Sequence, residues 1–124
     1  MSRKPQVVTR QEADTRTPTF VKATRVDKPM VVRRFITRQR VGSEKLMLGV
    51  VRFEAGGGSY TWSFPENDEV YYIIKGSIAL EWAEGKLEAK EGDAVFLPAG
   101  VTYTVTNATE RETEIVYVLT PPIE

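Results

Sequence analysis

From Thr19 onward the chain is built of short β-branched and aromatic runs separated by Gly, Pro, Asn or Asp. The runs are Phe20 to Thr24, Met30 to Arg38, Lys45 to Glu54, Ser59 to Phe64, Glu69 to Lys75, Ser77 to Trp82, Lys86 to Ala89, Ala94 to Leu97, Thr102 to Thr106 and Glu114 to Leu119. Strands at this spacing, with no sustained helical period in any window, predict an all-β sandwich or barrel. Residues 1–17 are polar and lack a helical or strand period, so they are expected to form a flexible or docking N-terminal arm ahead of one barrel domain, 18–124. Ala83-Glu84-Gly85-Lys86 reads as a hairpin turn in which glycine supplies a positive φ, and Lys75-Gly76-Ser77 breaks one run from the next. Glu91-Gly92-Asp93 and Pro98-Ala99-Gly100 bracket the strand Ala94 to Leu97. Gly56-Gly57-Gly58 is a loop and not a phosphate cradle, because no helix pattern and no Gly-Lys-Ser/Thr follow it.

Composition narrows the chemistry. The 124 residues contain neither cysteine nor histidine. Disulfides, thiolate nucleophiles, Ser-His-Asp and Cys-His arrangements, and zinc or iron sites built on imidazole or thiolate are all excluded. Any metal would rest on oxygen ligands, and any acid–base chemistry on Glu, Asp, Tyr or Lys. Lys plus Arg equal Asp plus Glu at 17 each, so the balance favours neither nucleic acid nor a membrane as partner. The charges are unevenly placed: residues 1–40 carry a net +8 and residues 41–124 a net −8. A basic arm of this kind is either solvated or laid over an acidic body, its own or a partner subunit's. The charged N-terminus is not followed by an apolar stretch of signal-peptide or membrane-spanning length, so a cytoplasmic protein is expected. The Asn107-Ala108-Thr109 sequon has no role without a secretory route.

Two spaced patterns carry specific information. Gly56 is followed after five residues by Trp62, Ser63 and Phe64, then after four by Glu69 and after six by Gly76. Gly92 is followed after five residues by Pro98, then Gly100, Tyr103 and Asn107. This resembles the two motifs of the cupins, G-x5-H-x-H-x3-4-E-x6-G and G-x5-P-x-G-x2-H-x3-N, at every structural position. The resemblance implies a small double-stranded β-helix, the cupin or jelly-roll barrel. The family's three metal-binding histidines fall on Trp62, Phe64 and Tyr103, and only the carboxylate position, Glu69, is retained. A lone carboxylate beside a phenol is a poor transition-metal site, so no metal and no cofactor are expected. Tyr60 to Phe64, Asp68-Glu69-Val70 and Gly92 to Gly100 further resemble the ethanolamine-utilisation Q-type cupins, which also lack the histidines. That likeness implies acetate-kinase-like phosphotransfer as an alternative, although no magnesium or phosphate motif accompanies it.

Strand alternation then assigns the interior. If Trp62 and Phe64 face inward, so does Tyr60. Tyr71 and Ile73 follow from Glu69, Val105 from Tyr103, and Ile78, Leu80 and Trp82 from Gly76. Met47, Gly49 and Val51 are expected to face inward on the preceding strand. The result is an aromatic, apolar pocket with one carboxylate, suited to a flat organic molecule. Glu69 is the candidate proton carrier, because desolvation raises a carboxyl pKa towards neutrality. Tyr103 and Tyr71 are its candidate hydrogen-bonding partners at a developing oxyanion. Such a site could run a cofactor-free isomerisation, elimination or cyclisation; equally, Glu69 could be a structural carboxylate satisfied by a tyrosine or an arginine. Arg34 and Arg38 are expected on one strand face and Arg52 on the next strand; Arg34 or Arg52, if turned inward, could clamp a substrate carboxylate.

Three functions follow: acid–base catalysis on a small organic substrate, non-catalytic binding of such a molecule, and phosphotransfer. Trp62, Phe64 and Tyr103 could instead fill the barrel and leave it a scaffold, and pocket volume separates that outcome from catalysis and binding: a cavity below roughly 100 Å³ between Trp62, Tyr103 and Glu69 would sink the enzyme reading, since small-molecule sites begin near about 300 Å³. A homodimer is expected from the family likeness and from an arm able to lay a strand on a partner's sheet edge.

Overall fold

The computed structural model describes residues 4–18, 21–23, 30–56, 58–107 and 109–123. Among the described residues eleven strands and one short helix run in the order β1 (Asp14–Arg16), β2 (Lys22–Ala23), β3 (Val31–Ile36), α1 (Arg38–Val41), β4 (Met47–Phe53), β5 (Gly58–Ser63), β6 (Asp68–Lys75), β7 (Ser77–Trp82), β8 (Gly85–Lys90), β9 (Ala94–Leu97), β10 (Thr102–Asn107) and β11 (Thr113–Thr120). They form a six-stranded sheet, β1-β3-β4-β11-β6-β9, and a five-stranded sheet, β2-β5-β10-β7-β8. Every pairing is antiparallel. The inward side chains of both sheets make one core, in which Phe53, Tyr60, Ile73, Val105 and Ile115 have no exposed surface. This is the jelly-roll barrel that the cupin resemblance implies.

Most strands lie within a residue or two of the predicted runs, and the exceptions have local causes. The run Met30 to Arg38 does not continue as one strand, because Thr37 caps a helix: its Oγ1 accepts the Arg40 amide at 3.1 Å, and Gly42 closes the turn at φ 75°. Arg38 therefore leaves the strand face of Arg34. Within residues 1–17, where no strand period is visible, Asp14–Arg16 pairs with β3 of the same chain and Asp14 meets Arg40 at 3.1 Å. Of the run Phe20 to Thr24, Phe20 and Thr24 lie outside the described residues, as do Gly57 of the glycine loop and Ala108 of the sequon.

The β7–β8 hairpin closes through Ala83 and Glu84 without the positive φ expected of Gly85. Space is tight there instead, since a Cβ at Gly85 would sit 3.3 Å from the Trp82 ring. Gly76, by contrast, does adopt φ 82°, and an added Cβ would run into Thr113. The barrel end opposite the cavity is fastened by Asn107, which is fully buried. Its Nδ2 donates to the carbonyls of Phe53, Glu54 and Arg111 at 3.2, 3.1 and 2.9 Å, and its Oδ1 accepts from the Thr109 hydroxyl at 2.7 Å.

Gly49 controls how closely three strands approach. It pairs with Arg34 on β3 and Tyr117 on β11, and a Cβ would lie 2.5 Å from the Arg33 carbonyl oxygen and 2.6 Å from the Tyr117 ring. Because one of those neighbours is backbone, relaxation is restricted. Gly49→Ala is expected to lower stability by about 1–3 kcal/mol, as overpacked cores do, measurable as a lower urea midpoint at unchanged slope.

Candidate functional site

A small cavity opens among the inward side chains of the six-stranded sheet. Strand β3 contributes Val32 and Arg34, β4 Met47 and Val51, and β6 Glu69 and Tyr71. Trp62 and Phe64 cover it from β5 and the residue following, Tyr117 and Leu119 from β11, and Pro18, Met30 and Ile123 from the chain segments outside the strands. Seven expected pocket residues are thus brought together: Arg34, Met47, Val51, Trp62, Phe64, Glu69 and Tyr71.

The other expected site residues lie elsewhere. Tyr60 faces inward but is buried against Phe53, with ring centroids 5.2 Å apart, and Ile73, Leu80 and Val105 are equally enclosed in the core. Trp82 is half-buried beside Gly85. The Tyr103 ring is buried, but its hydroxyl donates to the Pro98 carbonyl at 2.8 Å and does not line the cavity. Arg52 is a correction: odd-numbered β4 residues point inward, so Arg52 points out, where it meets Glu54 at 3.2 Å and Glu112 at 3.7 Å.

Tyr117, which the sequence reading missed, occupies the space that Gly49 leaves and stands opposite Tyr71 in the β11–β6 register. Both faces of Ile115 to Leu119 are apolar, so alternation could not say which face was inside. The small residue facing a large one across the β4–β11 pair was the usable signal.

Glu69 is the electrostatic centre. It is 6% exposed, and Oε1 accepts from Trp62 Nε1 at 3.4 Å. Loss of water pushes its carboxyl up to about 8, against the opposing pull of hydrogen bonds from Trp62 and Tyr71. The Tyr71 phenol is in turn raised by its own burial and then by the Glu69 charge. Tyr103 is raised by desolvation first and by Glu69 and Asp68 after it. At neutral pH the cavity therefore holds a mostly protonated carboxyl, with Arg34, 6% exposed, among its walls.

The cavity volume is about 40 Å³, space for about one water molecule. Of the two outcomes left open by the sequence, a substrate-sized pocket and one closed by aromatics, the structure has the second: Trp62 and Phe64, at two of the metal-ligand positions, take up the space.

The chain belongs to the cupin domain family, whose sequence model matches residues 49–119. It is 30% identical over 63 residues to a protein of Saccharolobus solfataricus that carries a provisional dioxygenase name; the match covers 51% of this chain but only 16% of that protein. Among solved structures it resembles the polyketide cyclase RemF of Streptomyces resistomycificus, with TM-score 0.76 and 18% identity over 94% of this chain and 80% of that one. The Clostridium difficile EutQ protein superposes with TM-score 0.66 and 20% identity over 82% and 75% of the two chains. Those identities speak for the shared fold alone.

The residues at the family's metal position do not fit a metal. Trp62 and Phe64 present rings where imidazoles would stand, the Tyr103 hydroxyl is turned to Pro98, and Glu69 is left as a single, mostly protonated donor. Among the described residues no three Asp or Glu side chains converge on a common point.

Proposed function

We propose that this cupin binds a small, flat organic acid or carbonyl compound at the Arg34–Glu69 end of the barrel, without a metal. The observation that carries the reading is the placement of a buried guanidinium and a buried carboxyl of pKa about 8 on the walls of one aromatic-lined cavity. A guanidinium recognises a carboxylate bidentately, a neutral carboxyl donates to a carbonyl or phenolate oxygen, and Trp62, Phe64 and Tyr71 supply ring faces. Volume ranks neither binding nor turnover first: at about 40 Å³ the cavity is below the roughly 300 Å³ of small-molecule sites, so both require the side chains that cover it to move. A ligand enters only as the side chains at the mouth, Phe64 and Ile123 among them, swing outward.

Benzoate is a suitable first probe, followed by its hydroxylated and formyl derivatives. Saturable movement of the Trp62 indole N–H resonance is expected, with affinity reduced about tenfold or more in Arg34→Met, the scale of a lost charged hydrogen bond. A Trp62 resonance indifferent to the whole series would overturn the binding reading.

The near-neutral pKa of Glu69 favours a second reading, proton transfer to or from the bound molecule, as an isomerase, lyase or cyclase would perform. Glu69→Gln separates the two. It keeps the shape and removes the proton, so binding survives while turnover of any identified substrate falls by about a hundredfold or more.

A further inference from the structure

The basic N-terminal arm is fastened to the barrel at several points. Gln6 Nε2 donates to the Val41 carbonyl at 3.2 Å, Asp14 meets Arg40 at 3.1 Å, and Asp14–Arg16 pairs with β3. Between these points Thr9 and Glu12 close a turn. The Thr9 carbonyl accepts the amides of Glu12 and Ala13 at 3.1 Å, and the Thr9 hydroxyl donates to the Glu12 carboxylate at 2.7 Å. This pairing of a hydroxyl and a carboxylate three residues apart is the reciprocal arrangement of a capping box, and Arg10 stands on the turn it holds.

Arg10 is thereby set at the rim of a groove on the outer face of the six-stranded sheet. Arg33 of β3, Arg52 of β4 and Glu114 of β11 complete the polar rim, and Phe35, Val50 and Ile74 are among the apolar side chains beneath it. The groove holds about 300 Å³, against about 40 Å³ for the cavity inside the barrel. That is the volume at which small-molecule sites begin, roughly 300 Å³. An arm expected in water or over an acidic body thus brings its Arg10 to two further arginines.

The charges of this rim do not cancel. Arg52 is compensated by Glu54 at 3.2 Å and Glu112 at 3.7 Å. Among the described residues neither Arg10 nor Arg33 forms an ion pair, and Glu114 reaches neither of them. Like charges gathered over apolar side chains repel, because the low-dielectric floor screens them poorly. An anion between the two free guanidinium groups reverses the sign of that interaction.

We infer that the groove between the N-terminal arm and the outer face of β3 and β4 binds a phosphate monoester with an apolar body. Arg10 and Arg33 approach from separate elements, so each can turn its fork to the same anionic group. A monoester phosphate, with three acceptor oxygens and about two negative charges, accepts both forks; the two oxygens of a carboxylate are taken up by one. Phe35, Val50 and Ile74 receive the apolar body, and the Glu114 carboxylate opposes a second acidic group on it. The site is separate from the interior cavity, since Arg33 and Arg34 are consecutive on β3 and alternation sends the first outward and the second inward. The inference is independent of the interior-ligand reading.

Phenyl phosphate titrated into the full chain is expected to move the backbone amide resonances of Arg33, Val50 and Glu114 saturably, while the Trp62 indole N–H inside the barrel stays in place. Arg10→Met and Arg33→Met should each weaken binding by about tenfold or more, as loss of a charged hydrogen bond does, and together abolish saturation. Inorganic phosphate, which lacks the apolar body, should bind at least about tenfold more weakly than phenyl phosphate. Lys86→Met removes an exposed positive charge from the five-stranded sheet and should leave the affinity unchanged. Far-UV circular dichroism reads the fold of each variant; if Arg33→Met misfolds, Arg33→Lys keeps the charge without the fork and should still weaken binding. Each of four results would overturn the assignment: no saturation by phenyl phosphate, saturation that survives loss of both arginines, inorganic phosphate bound as tightly as the ester, or an equal loss of affinity in Lys86→Met.

Discussion

Between pH 5 and pH 8 the wild-type protein is expected to lose stability that Glu69→Gln retains. Folding lifts the Glu69 carboxyl from an ordinary 4.5 to about 8. Within that window the native state holds a proton that the unfolded chain has released. The unfolded state binds fewer protons, so stability falls as pH rises, beginning near the unfolded pKa and levelling off above the folded one. At pH 7 the penalty is about 3 kcal/mol, at 1.36 kcal/mol per unit. The glutamine variant preserves an oxygen for the Trp62 N–H and has nothing to ionise. It should match the wild type below pH 5 and exceed it by about that amount near pH 7. Urea midpoints of both proteins across the range provide the test, and parallel curves would mean that Glu69 is solvated and ionised in the folded state.

Asn107→Ala is the second large effect expected, about 3 kcal/mol or more. The carbonyls of Phe53, Glu54 and Arg111, which share the two N–H bonds of Nδ2, lose their donor at once beside a side chain without exposed surface, and the Thr109 hydroxyl loses one of its two acceptors. Asn107→Asp should be worse than alanine although it differs from asparagine by one atom type. An aspartate has no N–H to give and sets a negative charge against three carbonyl oxygens. Denaturation midpoints in the order Asn, Ala, Asp would establish that donation from Nδ2 is what Asn107 contributes. An aspartate variant as stable as the parent would refute it.

The barrel was legible because its signals are local and redundant. Turn residues punctuate nearly every strand, and the spacing from Gly56 to Asn107 fixes which positions face in, so Trp62, Glu69, Tyr71, Met47 and Val51 fell where alternation put them. Alternation decides orientation only when the two faces differ chemically. On β11 they do not, and Tyr117 went unread. Arg52 was treated as a candidate clamp although Met47, Gly49 and Val51 already assigned the odd positions of its strand to the interior. Cavity size was beyond reach for another reason. It depends on how Trp62, Phe64 and Tyr117 share one space, a three-dimensional packing result with no counterpart in a pattern of residue types. The helix at 38–41 was missed because one capped turn is too short to show a period, though Thr37 and Gly42 bracket it.

The margins of the six-stranded sheet have a consequence for behaviour at high concentration. One margin is β1, three exposed residues including Asp14 and Arg16, and the other is β9, four residues halted by Pro98. Short, charged or proline-stopped margins are poor templates for an incoming strand. The outer face of this sheet, on which Val70, Tyr72, Ile74 and Phe96 are exposed, is thus bounded by blunt borders. Strand addition at either border is disfavoured, and crowded solutions of the protein should not yield fibrils.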